Sequence, residues 1–217
     1  MASSTVEDYL KRIYLEADAE GVVPMGRLAE AVGVAPGTAT AMAKALAGAG
    51  FADYAPYSGV RLTPEGCQVA LRTLRRHRLV ELLLVRVLGM DWAEVHEDAE
   101  KLEHAISDRL LDRIDTVLGH PETDPHGDPI PTQQGRVRHP RLTRLAGAPL
   151  GLKWRIARVV DQSPDFLRAV AQRGLRPGAA VEVRRRDDAA GTLTMRCGRR
   201  EVVLGHAAAE KILLRPA

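Results

Sequence analysis

The chain has 217 residues, of which 45% are hydrophobic and 27% charged, the composition of a folded soluble protein with a substantial core. The formal net charge is +3 with both signs well mixed, which permits nucleic-acid binding without arguing for it. No apolar run approaches the roughly 18 residues of a membrane span, and "MASSTVEDYLKRIYLE" lacks a signal-peptide hydrophobic region, so a cytoplasmic location is expected.

Residues 5–17 carry a helical apolar stripe of Val6, Leu10, Ile13, Tyr14 and Ala17, with Glu7 and Asp8 in the first turn, where acids favour the helix dipole. "MGRLAEAVGV" and "APGTATAMAKALAGAGF" predict two short helices about a tight turn at Gly33. "FADYAPYSGVRLTPEG" follows as a two-stranded hairpin turning near Ser58–Gly59. Helix, helix, turn, helix and hairpin make the outline of a winged helix-turn-helix over residues 1–64.

From Pro64 a long helix is expected to about Leu88, apolar almost all round in "LVELLLVRVLG". A second is expected over 93–118, with Leu102, Ile106, Leu110, Ile114 and Val117 on one stripe. Two such helices suit either a dimer interface or a monomer core, and 65–140 reads as a helical domain. Six of the thirteen prolines fall within 120–150, and "DPHGDPIP" there reads as ordered turns. Residues 141–152 are expected to be a linker. Residues 153–217 predict short strands with an inserted helix, "SPDFLRAVAQRG", opening at Ser163 and Pro164. The expectation is a five-stranded, SH3-like barrel. The fold class is therefore mainly α with small β.

The chemistry concentrates in "HEDAEKLEH". Glu100, Glu103 and His104 lie at i, i+3 and i+4 on one helical face, with His96 a turn earlier. That mixed oxygen and nitrogen set suits Mn, Fe or Zn better than Ca; by itself it also fits a solvated charged face. His77 and Glu81 form a second i, i+4 pair. Asp8 is a third candidate, although a first-turn acid needs no metal to explain it. Asp124 and His126 sit in "DPHGDP", where turn chemistry is the plain alternative, and Asp161 or Asp165 could join them. Cys67 and Cys197 lie in no metal or redox spacing and read as reduced structural thiols.

With these residues in place the chain resembles the diphtheria toxin repressor family, and within it the manganese transport regulators. The resemblance rests on "EDYLKRIY", "LAEAVGVAPGTATAMAKAL", "RRHRLVELLL", "EVHEDAEKLEHAISDRL" and "DPHGDPIP", and it covers nearly the whole chain. The last domain resembles the SH3-like module of the small iron-transport accessory proteins, the FeoA type. The resemblance implies a sensing site of Asp8, His77, Glu100, Glu103 and His104. It implies a second site of Glu81, Asp124 and His126, with His96 nearby and Asp161 as a further ligand. Iron-type members carry Met and Cys where this chain has Asp8 and Glu100, and the added oxygen ligands suit Mn(II). Binuclear manganese regulators often carry an acid where this chain has Lys11, which argues against a two-metal cluster.

The implied function is a manganese(II)-dependent repressor, not an enzyme. It would act as a homodimer on a palindromic double-stranded operator, with no membrane or small organic substrate as partner. Fe(II) is the alternative ion, and Zn(II), Co(II) or Cd(II) are expected substitutes in vitro. The DNA-facing residues are expected to be Arg27, Ala35, Pro36, Gly37, Thr38, Thr40, Lys44 and Ser58, with few base hydrogen bonds and more methyl contact and shape readout. A metalloenzyme is the main rival, weakened by the lack of an HExxH motif. A winged-helix regulator responding to an organic ligand would not need the acid and histidine spacing.

Overall fold

The computed structural model describes residues 3–217. Backbone contacts divide the chain into two compact units. One runs to His77 and includes Leu102–Ser107 and Pro131–Val137; the other holds Arg78–Lys101, Asp108–Ile130 and Arg138–Ala217.

The first unit opens with α1 (Ser4–Glu16), capped by Ser3, whose hydroxyl accepts from the Val6 amide. The Asp18 carboxylate then accepts from the Glu20 and Val22 amides and turns the chain into β1 (Val22–Val23). α2 (Met25–Val32) ends at Gly33, whose φ of 72° makes a left-handed cap. Pro36 then starts α3 (Pro36–Gly48), so the tight turn expected at Gly33 is present. β2 (Ala52–Ala55) and β3 (Gly59–Leu62) form the expected hairpin, and β1 adds a third strand in the order β1-β3-β2. The core joins Leu10 and Ile13 of α1 to Leu28, Ala43, Leu46 and Val60.

α4 spans Pro64–Arg86 and passes from the first unit into the second after His77. The single helix expected over 93–118 is two: α5 (Val95–Leu102) and α6 (Asp108–Val117). The amides of Ala105 and Ile106 both donate to the Leu102 carbonyl, which closes α5 before Glu103 and His104 can continue it. On α6 Leu111 and Ile114 are buried while Leu110 and Val117 face out. Among the described residues no helix is long and apolar enough to cross a membrane.

In the second unit the connector is ordered. The Asp124 amide donates to the Asp128 carbonyl and the Ile130 amide to that of Glu122. A six-stranded antiparallel sheet follows in the order β4-β9-β5-β6-β7-β8. It comprises β4 (Thr143–Arg144), β5 (Lys153–Val159), β6 (Ala180–Asp187), β7 (Thr192–Cys197), β8 (Arg200–Gly205) and β9 (Ile212–Pro216). Helices α7 (Pro164–Gln172) and α8 (His206–Ala209) are inserted. This is the SH3-like module, with one strand more than expected. The extra strand corrects the linker expected over 141–152: β4 pairs with β9, and Leu145, Ala146 and Ala148 are buried in the module's core.

Candidate metal centres and nucleic-acid interface

Each unit gathers its own set of ligating side chains. In the first, Asp8 of α1 meets Glu103 and His104 of the 103–107 break, each offering a ligand atom within 4.8 Å of the others. His104 turns both ring nitrogens to acids: Nδ1 lies 2.8 Å from Glu7 Oε2, and Nε2 lies 2.8 Å from Asp8 Oδ1 and 3.4 Å from Glu103 Oε1. Glu103 is fully buried. Its Oε1 accepts from Lys11 Nζ at 2.6 Å, and its Oε2 faces His77 Nδ1 at 2.7 Å. Burial works against a charged His104, but Glu7, Asp8 and Glu103 outweigh it and hold its pKa above the usual imidazole value. His104 is thus a local counter-ion to the acids, and a divalent cation could replace its proton.

Glu7 was legible only as a first-turn acid; its contact to His104 spans 97 residues of sequence. The break in the α5–α6 helix has its physical reason here, because Glu103 and His104 turn to α1 instead of continuing the helix. Of the five residues expected at the sensing site, Asp8, His77, Glu103 and His104 lie together in this unit. Glu100 belongs to the other unit, where its Oε1 faces His96 Nε2 at 3.6 Å.

The second set is Glu81, Asp124 and His126, all buried. His126 Nε2 donates to the Trp92 carbonyl at 2.8 Å, and the Trp92 ring stacks on the imidazole with centroids 5.5 Å apart. That bond leaves the Nδ1 lone pair facing inward. Nδ1 is buried without a hydrogen-bond partner, 3.7 Å from Glu81 Oε2. A buried acceptor without a donor, beside two buried acids, is the arrangement a metal cation satisfies. Burial, then Asp128 and Glu81, push the Asp124 carboxyl up to about 7. His126 is also raised: burial opposes its charge, but Glu81 and Asp124 favour it. Half-exposed His96 adds Nδ1 at 3.3 Å from Glu81 Oε1.

Asp161 is not in this group. Lys211 Nζ donates to it at 2.7 Å and the Ser163 amide at 2.9 Å, holding its carboxyl below the usual range although burial acts the other way. The SH3-like module instead supports the turn that carries His126. The Val159 amide of β5 donates to the His126 carbonyl, Gln162 donates to Asp128, and Arg158 pairs with Asp128. Gly127 sits at φ +90°, and a Cβ there would overlap the Ala157 carbonyl oxygen. Gly127→Ala is therefore expected to cost about 1–3 kcal/mol and to weaken metal binding at this centre alone. Thermal melts with and without Mn(II) check this; an unchanged metal-induced rise would contradict it.

Neither set includes a thiolate. Burial pushes both Cys67 and Cys197 up, which keeps them protonated.

Three family models match along the chain. They are the iron dependent repressor N-terminal DNA binding domain over residues 1–60, the iron dependent repressor metal binding and dimerisation domain over 63–132, and the FeoA domain over 143–216. The iron-dependent repressor IdeR of Mycobacterium tuberculosis is 34% identical over 192 residues, 82% of this chain and 83% of that protein. The chain belongs to the diphtheria toxin repressor family. It is a metal-dependent, DNA-binding transcriptional repressor of the kind that includes the iron-dependent and manganese transport regulators. The regulator MntR of Bacillus pumilus is 34% identical over 125 residues, 57% of this chain and 86% of that protein. A solved structure described as a manganese-dependent transcriptional repressor in complex with manganese is 40% identical. It covers 98% of this chain and 100% of its own, with a TM-score of 0.88.

In this repressor Ala35, Pro36, Gly37, Thr38 and Lys44 are exposed at and along α3. Thr40 is half-buried, and its hydroxyl donates to the Pro36 carbonyl. Arg27 is exposed but paired with Glu16 at 2.8 Å. Ser58 is exposed at the hairpin turn beside Tyr57, a fully exposed residue at φ 67° that the sequence reading passed over.

Proposed function

We propose that this repressor is activated by manganese(II), binds a palindromic double-stranded operator as a homodimer, and shuts off metal-uptake genes. The observation that carries the choice of ion is the donor chemistry. Asp8, Glu103 and His104 in one centre, and Glu81, Asp124 and His126 in the other, offer carboxylate oxygen and imidazole nitrogen with no sulfur. That set favours a hard divalent ion. The likeness along the full chain to a manganese-dependent repressor supports the same choice.

A bound divalent ion supplies the positive charge that lets these carboxylates converge on neutral imidazoles. The residues of the chain do the rest. Asp8 sits on α1, and Glu103 and His104 sit in the loop joining α5 to α6. Holding them together fixes α1, whose Leu10 and Ile13 pack in one core with Leu28 of α2 and Leu46 of α3. The position of α3 thereby becomes coupled to the state of the centre. Thr38 and Lys44 face outward on α3, suited to base methyl and phosphate contacts respectively. Two such helices in a dimer would address major grooves about 34 Å apart. Exposed Val87, Leu88, Leu110 and Val117 in the second unit support a partner surface, as does the matched dimerisation domain.

Iron(II) is the second reading, supported by the identity to IdeR and by the acceptance of the same donors by Fe(II). The test is an anaerobic titration of metal-stripped protein on operator DNA with each ion. Mn(II) activating at lower free concentration than Fe(II) supports the proposal; the reverse order transfers the function to iron.

A further inference from the structure

We propose that Lys11 is a resident cation of the first centre: its ammonium holds the place a second metal ion would take and limits this centre to one ion per chain. The inference rests on the reading that Asp8, Glu103 and His104 bind a divalent ion.

Lys11 is 3% exposed, on α1 one turn after Asp8. A lysine is seldom so buried unless paired, and its partner is Glu103, which is 0% exposed. The contact falls on one oxygen. Glu103 Oε1 accepts from Lys11 Nζ at 2.6 Å, and the same oxygen lies 3.4 Å from His104 Nε2, which is itself 2.8 Å from Asp8 Oδ1. Oε1 is therefore where the ammonium and the ligating set meet. A carboxylate oxygen has lone pairs for both an N–H donor and a metal. The other oxygen, Oε2, is engaged by His77. Glu103 bridges two positive positions in this arrangement, and lysine already fills one.

Two consequences follow from charge alone. The ammonium repels any ion on the far side of Oε1 and so weakens the single site. It also bars a second ion from its own side. Removing the charge should tighten the one ion, and replacing it with a carboxylate should admit another.

The experiment uses the full chain, stripped of metal, in an Asp124→Asn background so that bound ions report on the first centre. Mn(II) is titrated calorimetrically, and bound metal is counted after dialysis, for Lys11, Lys11→Met and Lys11→Glu. The expected results are one ion for Lys11, one ion held about tenfold or more tightly for Lys11→Met, and two ions for Lys11→Glu. Melting curves identify any variant that fails to fold. Lys11→Arg, which keeps the charge, should retain one ion and the weaker affinity. Unchanged affinity in folded Lys11→Met, or a single ion in folded Lys11→Glu, overturns the proposal. Failure of the parent chain to bind Mn(II) at all would instead overturn the reading on which it rests.

Discussion

Glu103→Ala is expected to abolish metal-dependent DNA binding and to destabilise the metal-free chain. Glu103 joins three groups: Lys11 on Oε1, His77 on Oε2, and His104 Nε2 at 3.4 Å from Oε1. Its loss strands a buried ammonium, since Lys11 is 3% exposed. Breaking one side of a buried pair costs about 3–5 kcal/mol, far more than the pair itself contributes. For a chain of this size that lowers Tm by roughly 10 °C. The metal loses the donor between Asp8 and His104, so affinity at this centre should fall by about 100-fold or more, exceeding the loss of a supporting residue. Calorimetric melting and DNA retention with Mn(II) check both parts. A variant that melts like the parent and still responds to Mn(II) would show that Glu103 is merely a satisfied core acid.

Asp124→Asn should separate metal binding from folding in the opposite direction. In the metal-free fold, burial and then the Asp128 and Glu81 charges raise Asp124 from 3.8 to about 7. A group whose folded pKa is raised contributes its stability below the unfolded value and loses it as pH rises through the folded one. His126 and His104 are raised as well, from 6.5, so their contribution has the same sign. Metal-free protein should thus lose stability from about pH 4 to about pH 8. Metal binding requires those protons to leave, so the rise in Tm produced by Mn(II) should grow over the same interval. Asparagine keeps a side-chain oxygen for the His126 and Asp128 amides that Asp124 Oδ1 now accepts. It removes the buried charge, so the metal-free variant at pH 8 should exceed the parent by on the order of 2 kcal/mol. Its Mn(II)-induced rise should shrink. A metal-free variant less stable than the parent at pH 8 would mean that the ionised Asp124 is already well compensated by Arg78.

Local signals account for what was legible. Gly33 and Pro36 punctuate the helix-turn-helix, and the stripe through Leu10 and Ile13 marks α1, because both depend on neighbours a turn away. Periodicity could not show the break after Leu102. The apolar spacing runs on through Leu110 and Val117, while Glu103 and His104 turn to α1, about ninety residues earlier in the chain. β1 and β4 have two residues each, too few for any alternation, and β4 is defined only by β9 near the end of the chain. For the centres, residue types and spacing marked Glu103, His104, Asp124 and His126. Their partners are nonlocal: Lys11 on Glu103, the Trp92 carbonyl on His126, and Arg158 on Asp128. Asp161 was an equally reasonable acid by sequence, and Lys211, fifty residues on, takes it.

The central claim is that metal occupancy switches DNA binding. The most direct measurement is retention of fragments of the source genome by metal-stripped, full-length protein, with Mn(II) added and with a chelator. The account predicts a small set of fragments retained with Mn(II) and lost on chelation. Retention of the same fragments in both conditions would contradict it, and would leave the acids and histidines of 96–104 as structural contacts only.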